Sequence, residues 1–475
     1  MIQKMTKQIA HAEPFSGPAR LTMPDIYGGS PDKPFIWRIP VLGERPVSIR
    51  IDGLPEGLTI NGNIISGETP VTGDFPVVVT AANRLGSDRK TVTLSIRPDG
   101  SLRTPLLGFT TWNACFEDVT DKLVIGIGEY LVSSGLAEYG YSYVNVDSCW
   151  QGLYDEETGA VMPNGKFPDM KGMYSSLHAL GLKGGIYSSP FRECWGCAAA
   201  ANLDIFPGCT RGEKDPRFPD INNGIGKERH EAQNVAHWCR LGVDYLKYDW
   251  APSDKYNAGL MKAALRNASR DISFCMTVSA SPDDYEFLNE NCCSWRANED
   301  TRDDWQNLLR RMDTVDTWRG KTSPGHFYDL DMLAIGVTQI NKGPRHLTDD
   351  EELSAYTFHA FFPSPLQLSM ALDKMTDFER DLVSNDEIIA VNQDSLCDYP
   401  SPVSAPDGFR VWERKLASGD TAIAVFNLSD STAVISLPLD RKHMIRVLWT
   451  KTDIGRSETL SVTLDAHSAG VYRLS

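Results

Sequence analysis

The sequence predicts a three-part, multidomain α/β chain: an N-terminal β-sandwich, a central (β/α)8 TIM barrel and a C-terminal antiparallel β-sandwich. Residues 1–100 hold short β-branched runs such as "PVSIRI", "PVVVTAAN" and "KTVTLSIRP". Gly, Pro, Asn and Asp bound these runs, which is the pattern of strands and turns. Residues 101–396 alternate eight strand signals with amphipathic helical stretches, as a barrel requires. Residues 397–475 return to β-pattern in "GFRVWERKL", "DTAIAVFNLSD", "HMIRVLWT" and "AGVYRLS".

Composition removes several functions. The 475 residues are 41% hydrophobic and 23% charged, which suits an ordered globular protein. A net charge of -16 argues against nucleic acid as a partner, since that needs a basic surface. No apolar run reaches the roughly 18 residues of a membrane span. The start, "MIQKMTKQIAHAEPF", has no apolar core of a signal peptide. A cytoplasmic protein is therefore expected, or a periplasmic or secreted one from which a leader was trimmed. Ten cysteines are scattered, and only Cys194 and Cys197 have CxxC spacing. Zinc would want two further ligands at suitable spacing, so structural thiols are expected and no metal or cofactor.

Within the barrel the strand signals are "LLGFTTW" (106–112), "YSYVNVDSCW" (141–150), "GLKGGIYSS" (181–189), "GVDYLKYDW" (242–250), "SFCMTVSA" (273–280), "CCSWRA" (292–297), "GHFYDLDML" (325–333) and "PLQLSM" (365–370). An open doubly wound sheet is the alternative, but no Gly-rich phosphate loop follows the first strand. The fourth strand reads as buried yet ends with Lys247 and Asp249, two apart and so on one face. In a barrel the C-terminal strand ends hold the active site. The other ends carry Trp112, Asp147, Tyr187, Arg296 and Asp331, with Asp300 just past the sixth strand. Any one of these alone would read as a surface charge or a satisfied ion pair. Eight on successive strand ends define a mouth rich in carboxylates.

Paired carboxylates beside aromatics suit glycoside hydrolysis. One carboxylate stays ionised, helped by a cation, and attacks or activates water. The other holds a proton, helped by burial or by the first carboxylate. Lys247 beside Asp249 suits the first role, and Asp300 in the acidic run "NEDTRDD" suits the second. Phosphoryl transfer with Mg²⁺ also uses clustered carboxylates but would need phosphate-binding loops, which are not seen.

These residues resemble glycoside hydrolase family 27, the α-galactosidase (melibiase) family. "LGFTTWN" resembles its GWNSWN motif, "NVDSCW" its DDCW motif and "LHALGLKGGIYS" its third strand. "GVDYLKYD" is similar to the nucleophile motif and "SWRANEDTRDDW" to the acid/base motif; "DLDMLAIG" and "EIIAVNQDSL" follow in family order. The resemblance implies Asp249 as nucleophile and Asp300 as general acid/base of a retaining exo-glycosidase on terminal α-D-galactosides. It places Trp112 against the sugar face. Asp147 and Lys247 would meet its hydroxyls, Arg296 the 2- and 3-OH side, and Tyr187 and Asp331 the pocket wall. The partner implied is an α-galactoside-type oligosaccharide or glycoconjugate; oligomeric state stays open. Residues 53–87 resemble the immunoglobulin-like module of bacterial glycoside hydrolases, usually a spacer or packing partner.

Four departures bear on specificity. Ser148 stands where the family usually has a second aspartate, which would shift preference at C6 toward β-L-arabinopyranose. Ser279, Ala280 and Ser281 are small where α-galactosidases carry bulk, as in α-N-acetylgalactosaminidases. "WAPSD" after Asp249 lacks the family's disulfide cysteine, and "SSPFRECWGCAAAANLDIFPGC" (188–209), with Trp195, reshapes the rim. β-L-Arabinopyranosidase, α-N-acetylgalactosaminidase and a non-catalytic sugar-binding barrel are the alternatives.

Overall fold

A computed structural model of the chain describes residues 3–4, 9–98, 100, 102–190, 202–203, 228–249, 255–277, 280–296, 298–340 and 345–475. Eight parallel strands form the central sheet: β1 (Leu107–Thr110), β2 (Tyr143–Asn145), β3 (Lys183–Ser188), β4 (Tyr245–Asp249), β5 (Ser273–Thr277), β6 (Ser294–Arg296), β7 (Phe327–Asp329) and β8 (Leu366–Leu368). β1 to β7 pair in sequence order, and β8 pairs with β1. Leu333, just past β7, completes the ring: its N–H donates to Gln367 O (2.7 Å) and its O accepts from Ser369 N (3.0 Å). The strands are apolar because helices cover their outer face and side chains fill the interior. Asn145 crosses that interior to Gln367 (Nδ2 to Oε1, 2.7 Å). Gly185 makes room for it, since a Cβ there would lie 2.1 Å from Asn145 Oδ1.

Several barrel helices begin on side-chain caps. Thr120 caps Asp121–Ser133, Asp169 caps Met170–Ala179, and Asp304 caps Trp305–Thr314. Thr348 and Glu351 form a capping box at Asp349–Phe361. That last helix is buried on nearly every face, from Glu351 to Phe361. It lies between the barrel and the C-terminal sheet, where Ser354 Oγ donates to His467 O.

The N-terminal region has its own core, including Trp37, Ile65, Val79 and Leu94. A four-stranded sheet (26–29, 86–96, 73–83, 48–52, in spatial order) and a three-stranded one (35–38, 64–67, 58–61) enclose it. The sequence assigns residues 1–100 to this module as a block. In the structure Gln3–Lys4 instead pairs in parallel with Thr452–Leu464 of the C-terminal sheet. Such a pairing spans the whole chain and leaves no local signal. The C-terminal strands from Ser401 to Leu474 join in one antiparallel sheet.

The module touches the barrel at the N-terminal ends of the strands, the face opposite the mouth. Tyr27 stacks on Trp37 with ring centroids 4.4 Å apart. The Lys183 ammonium, at the start of β3, lies 5.4 Å from the Tyr27 ring and 5.5 Å from the Tyr143 ring. Ser30 Oγ donates to Asp271 Oδ2 (2.8 Å), just ahead of β5. The main joint is Glu138, whose side chain is 1% exposed. It accepts from Arg38 Nη2 (2.7 Å), Arg45 Nη2 (3.1 Å) and Val41 N (3.0 Å), all from the module. Removing the carboxylate strands Arg38, 13% exposed, and takes a partner from the more exposed Arg45. Glu138→Ala should therefore cost about 3–5 kcal/mol of stability, read by chemical unfolding of the full chain. A loss under about 1 kcal/mol, the worth of an exposed pair, would show that these contacts do not hold the module.

Candidate active site

The mouth is built from strand ends and the first residues beyond them. Lys247 lies in β4, between Tyr187 on β3 and Cys275 on β5 by register. Its ammonium donates to Asp147 Oδ2 at 2.7 Å and sits 5.6 Å from the Tyr187 ring centroid. Lys247 thus pairs directly with Asp147 rather than with Asp249, its neighbour on the same strand face. Burial alone would lower the lysine pKa, but Asp147, Asp249 and Asp331 outweigh it and hold it above its ordinary value. Burial pushes Asp147 up, against the pull of Lys247 and the Ser148 N–H. The β1 end locks this corner: Asp147 N donates to Thr111 Oγ1 (2.9 Å), and Ser148 N to Asp147 Oδ1 (2.8 Å).

Asp249 closes β4 and accepts from Thr277 Oγ1 (2.5 Å), its register partner at the end of β5. Nothing but its place at a strand end marks Thr277 in the sequence. Arg296 closes β6 and bridges two carboxylates: Nη1 is 2.7 Å from Asp300 Oδ1 and 3.1 Å from Asp331 Oδ2. Burial would lower its pKa, but Asp331, Asp249 and Asp300 hold it above the ordinary value. Asp331 lies two residues beyond β7 with φ 68° and accepts from Thr301 N (2.8 Å). Burial works to raise Asp331, yet Arg296 and Lys247 bring it down to about 2. Beneath it, burial and then Asp331 push Asp329 up to about 6.

The structure therefore brings together Asp147, Ser148, Tyr187, Lys247, Asp249, Arg296, Asp300 and Asp331 at the strand ends. Two expectations need correction. For Asp300, burial was one of two environments expected, the other being the first carboxylate; its side chain is 72% exposed, in the loop after β6, with Arg296 as its partner. Trp112 was expected to end β1; the strand stops at Thr110, and Trp112 opens a short helix, Trp112–Cys115. Its ring packs edge-on against Phe116 (4.9 Å). Ser279, Trp195, Cys194 and Cys197 lie outside the described residues. Sequence reasoning also missed Thr111, Thr301 and Asp329, which act on backbone or neighbouring side chains. Among the described residues, no group of three or more His, Cys, Asp or Glu could hold a metal. Among the described residues, Cys115, Cys239, Cys275, Cys292, Cys293 and Cys397 are free thiols. No described helix is long and apolar enough to cross a membrane.

A barrel with carboxylates at its C-terminal mouth and cations between them is the layout of a glycoside hydrolase. The chain belongs to the alpha galactosidase A family, whose model matches residues 110–205 and 218–394. A model of the alpha galactosidase C-terminal beta sandwich domain matches residues 406–474. The chain is 31% identical over 397 residues to an alpha-galactosidase of Coffea arabica, covering 80% of this chain and 96% of that one. It is 26% identical to alpha-galactosidase A of Cellvibrio japonicus, covering 78% and 92%. A solved structure from Bacteroides fragilis, described as a candidate alpha-galactosidase, superposes with a TM-score of 0.85 at 26% identity, covering 98% of this chain and 99% of that one. A β-L-arabinopyranosidase of Geobacillus stearothermophilus shares the fold, with a TM-score of 0.68 at 24% identity over 78% of this chain and 97% of that one.

Two outcomes follow from this geometry. Thr277→Val removes a hydrogen bond to a carboxylate, worth about 1.5–3 kcal/mol, and should lower turnover by at least about tenfold with folding intact; steady-state kinetics with a melting curve checks this. Asp331, depressed from an ordinary 3.8 to about 2, contributes stability above pH 4 that is lost as pH falls toward 2. The stability gap between wild type and Asp331→Asn should be widest near neutrality and narrow across that window, in unfolding measured by pH.

Proposed function

We propose that the protein is a retaining, exo-acting α-galactosidase that works by double displacement. The observation that carries this is the placement of Asp249, at the end of β4 and in the field of both Lys247 and Arg296, with Asp300 held on the same arginine. Asp249 attacks the anomeric carbon while Asp300 gives its proton to the leaving oxygen, so the glycosidic bond breaks as the glycosyl–Asp249 ester forms. Arg296 Nη1 stands where it can receive the carboxylate that Asp300 becomes. Asp300 then takes a proton from water, which attacks the same carbon and frees the sugar with its configuration retained. Lys247 and Asp147 present a donor and an acceptor to the sugar hydroxyls, and Trp112 an apolar face. The free thiols fit a reducing, cytoplasmic compartment.

A second reading, β-L-arabinopyranosidase, rests on Ser148. It is buried, 1% exposed, and has no charge to offer a C6 hydroxyl. The small residue at Ser279 motivates α-N-acetylgalactosaminidase in the same way.

Hydrolysis of p-nitrophenyl α-D-galactopyranoside, α-N-acetyl-D-galactosaminide and β-L-arabinopyranoside, side by side, separates these. A lead for the galactoside is expected; a lead for either of the others moves the specificity to Ser148 or Ser279. Asp300→Ala should lose about 10²–10⁴-fold on poor leaving groups and give a glycosyl azide of retained configuration when azide is added. An inverted azide product would reject double displacement.

A further inference from the structure

Asp329 has no part in the mechanism above, yet it is 3% exposed and its carboxylate is committed on both oxygens. Oδ1 accepts from Asp331 N at 2.8 Å, and Oδ2 from Cys275 Sγ at 3.4 Å. The first bond is the informative one. Asp331 is a non-glycine residue in the left-handed region, φ 68°, a conformation that persists only where its surroundings enforce it. Its backbone N–H is buried and needs an acceptor. Asp329 supplies that acceptor from two residues upstream, closing an Asx-type turn.

The turn decides where the Asp331 carboxylate goes. Oδ2 of Asp331 meets Thr301 N (2.8 Å) and Arg296 Nη1 (3.1 Å), and the same Nη1 holds Asp300 Oδ1 (2.7 Å). Thr301 is also the residue after Asp300. The loop bearing Asp300 is therefore tied to Asp331 twice, once through Thr301 and once through Arg296. Asp329 lies beside Arg296 in the β6–β7 register, so one strand pair carries the whole chain of contacts.

We propose that Asp329 is a positioning residue for the proton-transfer step: it fixes the turn at Asp331 and, through Asp331 and Arg296, the placement of Asp300. This rests on Asp300 being the acid/base. The plainer reading is a satisfied core carboxylate that contributes stability alone.

Leaving-group dependence separates the two. Proton donation matters for a poor leaving group and hardly at all for 2,4-dinitrophenolate. In the full chain, Asp329→Ala should lose more than about tenfold in kcat/KM, which reports the step in which the leaving group departs, on a sugar-linked α-galactoside and no more than about threefold on the dinitrophenyl glycoside. Asp329→Asn keeps an oxygen for Asp331 N and should restore most of the loss. Cys275→Ala removes the other partner and should leave the ratio at its wild-type value. If the alanine variant does not fold, Asp329→Leu fills the space without an acceptor and is read the same way. Equal losses on both substrates, or an Asn variant as impaired as Ala, would overturn the proposal. Asp300→Ala is run beside them. If it lacks the leaving-group signature, the acid/base reading itself fails; if it has the signature and Asp329→Ala does not, only the positioning role fails.

Discussion

Two largely buried cations, Lys247 and Arg296, hold the mouth together. Their side chains are 14% and 13% exposed, so neither is well hydrated. Burying a charge is costly unless it is paired. Here the pairing is shared: Lys247 with Asp147, and Arg296 with Asp331 and Asp300. Asp249 lies near both without being consumed by either contact, and it accepts from the neutral hydroxyl of Thr277. This leaves the carboxylate at the end of β4 available.

The same constraint orders the fold around it. A parallel barrel puts every strand end on one face, so residues far apart in sequence meet without long side chains. The cations lie on β4 and β6, and their partners come from the ends of β2 and β7 and the loop after β6. The opposite face is left for architecture. Glu138, Lys183 and Asp271 meet the N-terminal module there, away from the chemistry. The buried helix Asp349–Phe361 plays a comparable part toward the C-terminal sheet, and Trp305 stacks on His467 at 4.4 Å across that junction.

Much of this was legible in the sequence. A lysine and an aspartate two apart at the end of an apolar run have few homes other than a barrel mouth, and the motif order carried the family. What escaped depended on three-dimensional closure. The exposure of Asp300 follows from its loop lying outside the ring, which strand periodicity does not encode. Trp112 follows a strand that ends two residues early because Thr111 turns to accept from Asp147 N. The parallel pairing of Gln3–Lys4 with the far end of the chain involves no residue type that announces it. The helix 349–361 carries no clear amphipathic stripe because two domains cover it from opposite sides.

The central claim is that Asp249 is the group that bonds to the sugar. The most direct measurement is to inactivate the full-length protein with a fluorinated α-galactosyl fluoride, whose glycosyl-enzyme turns over slowly, and to locate the added sugar by tandem mass spectrometry of the peptides. The account predicts one sugar per chain, esterified to Asp249. A sugar on Asp147, Asp300 or Asp331 would contradict it.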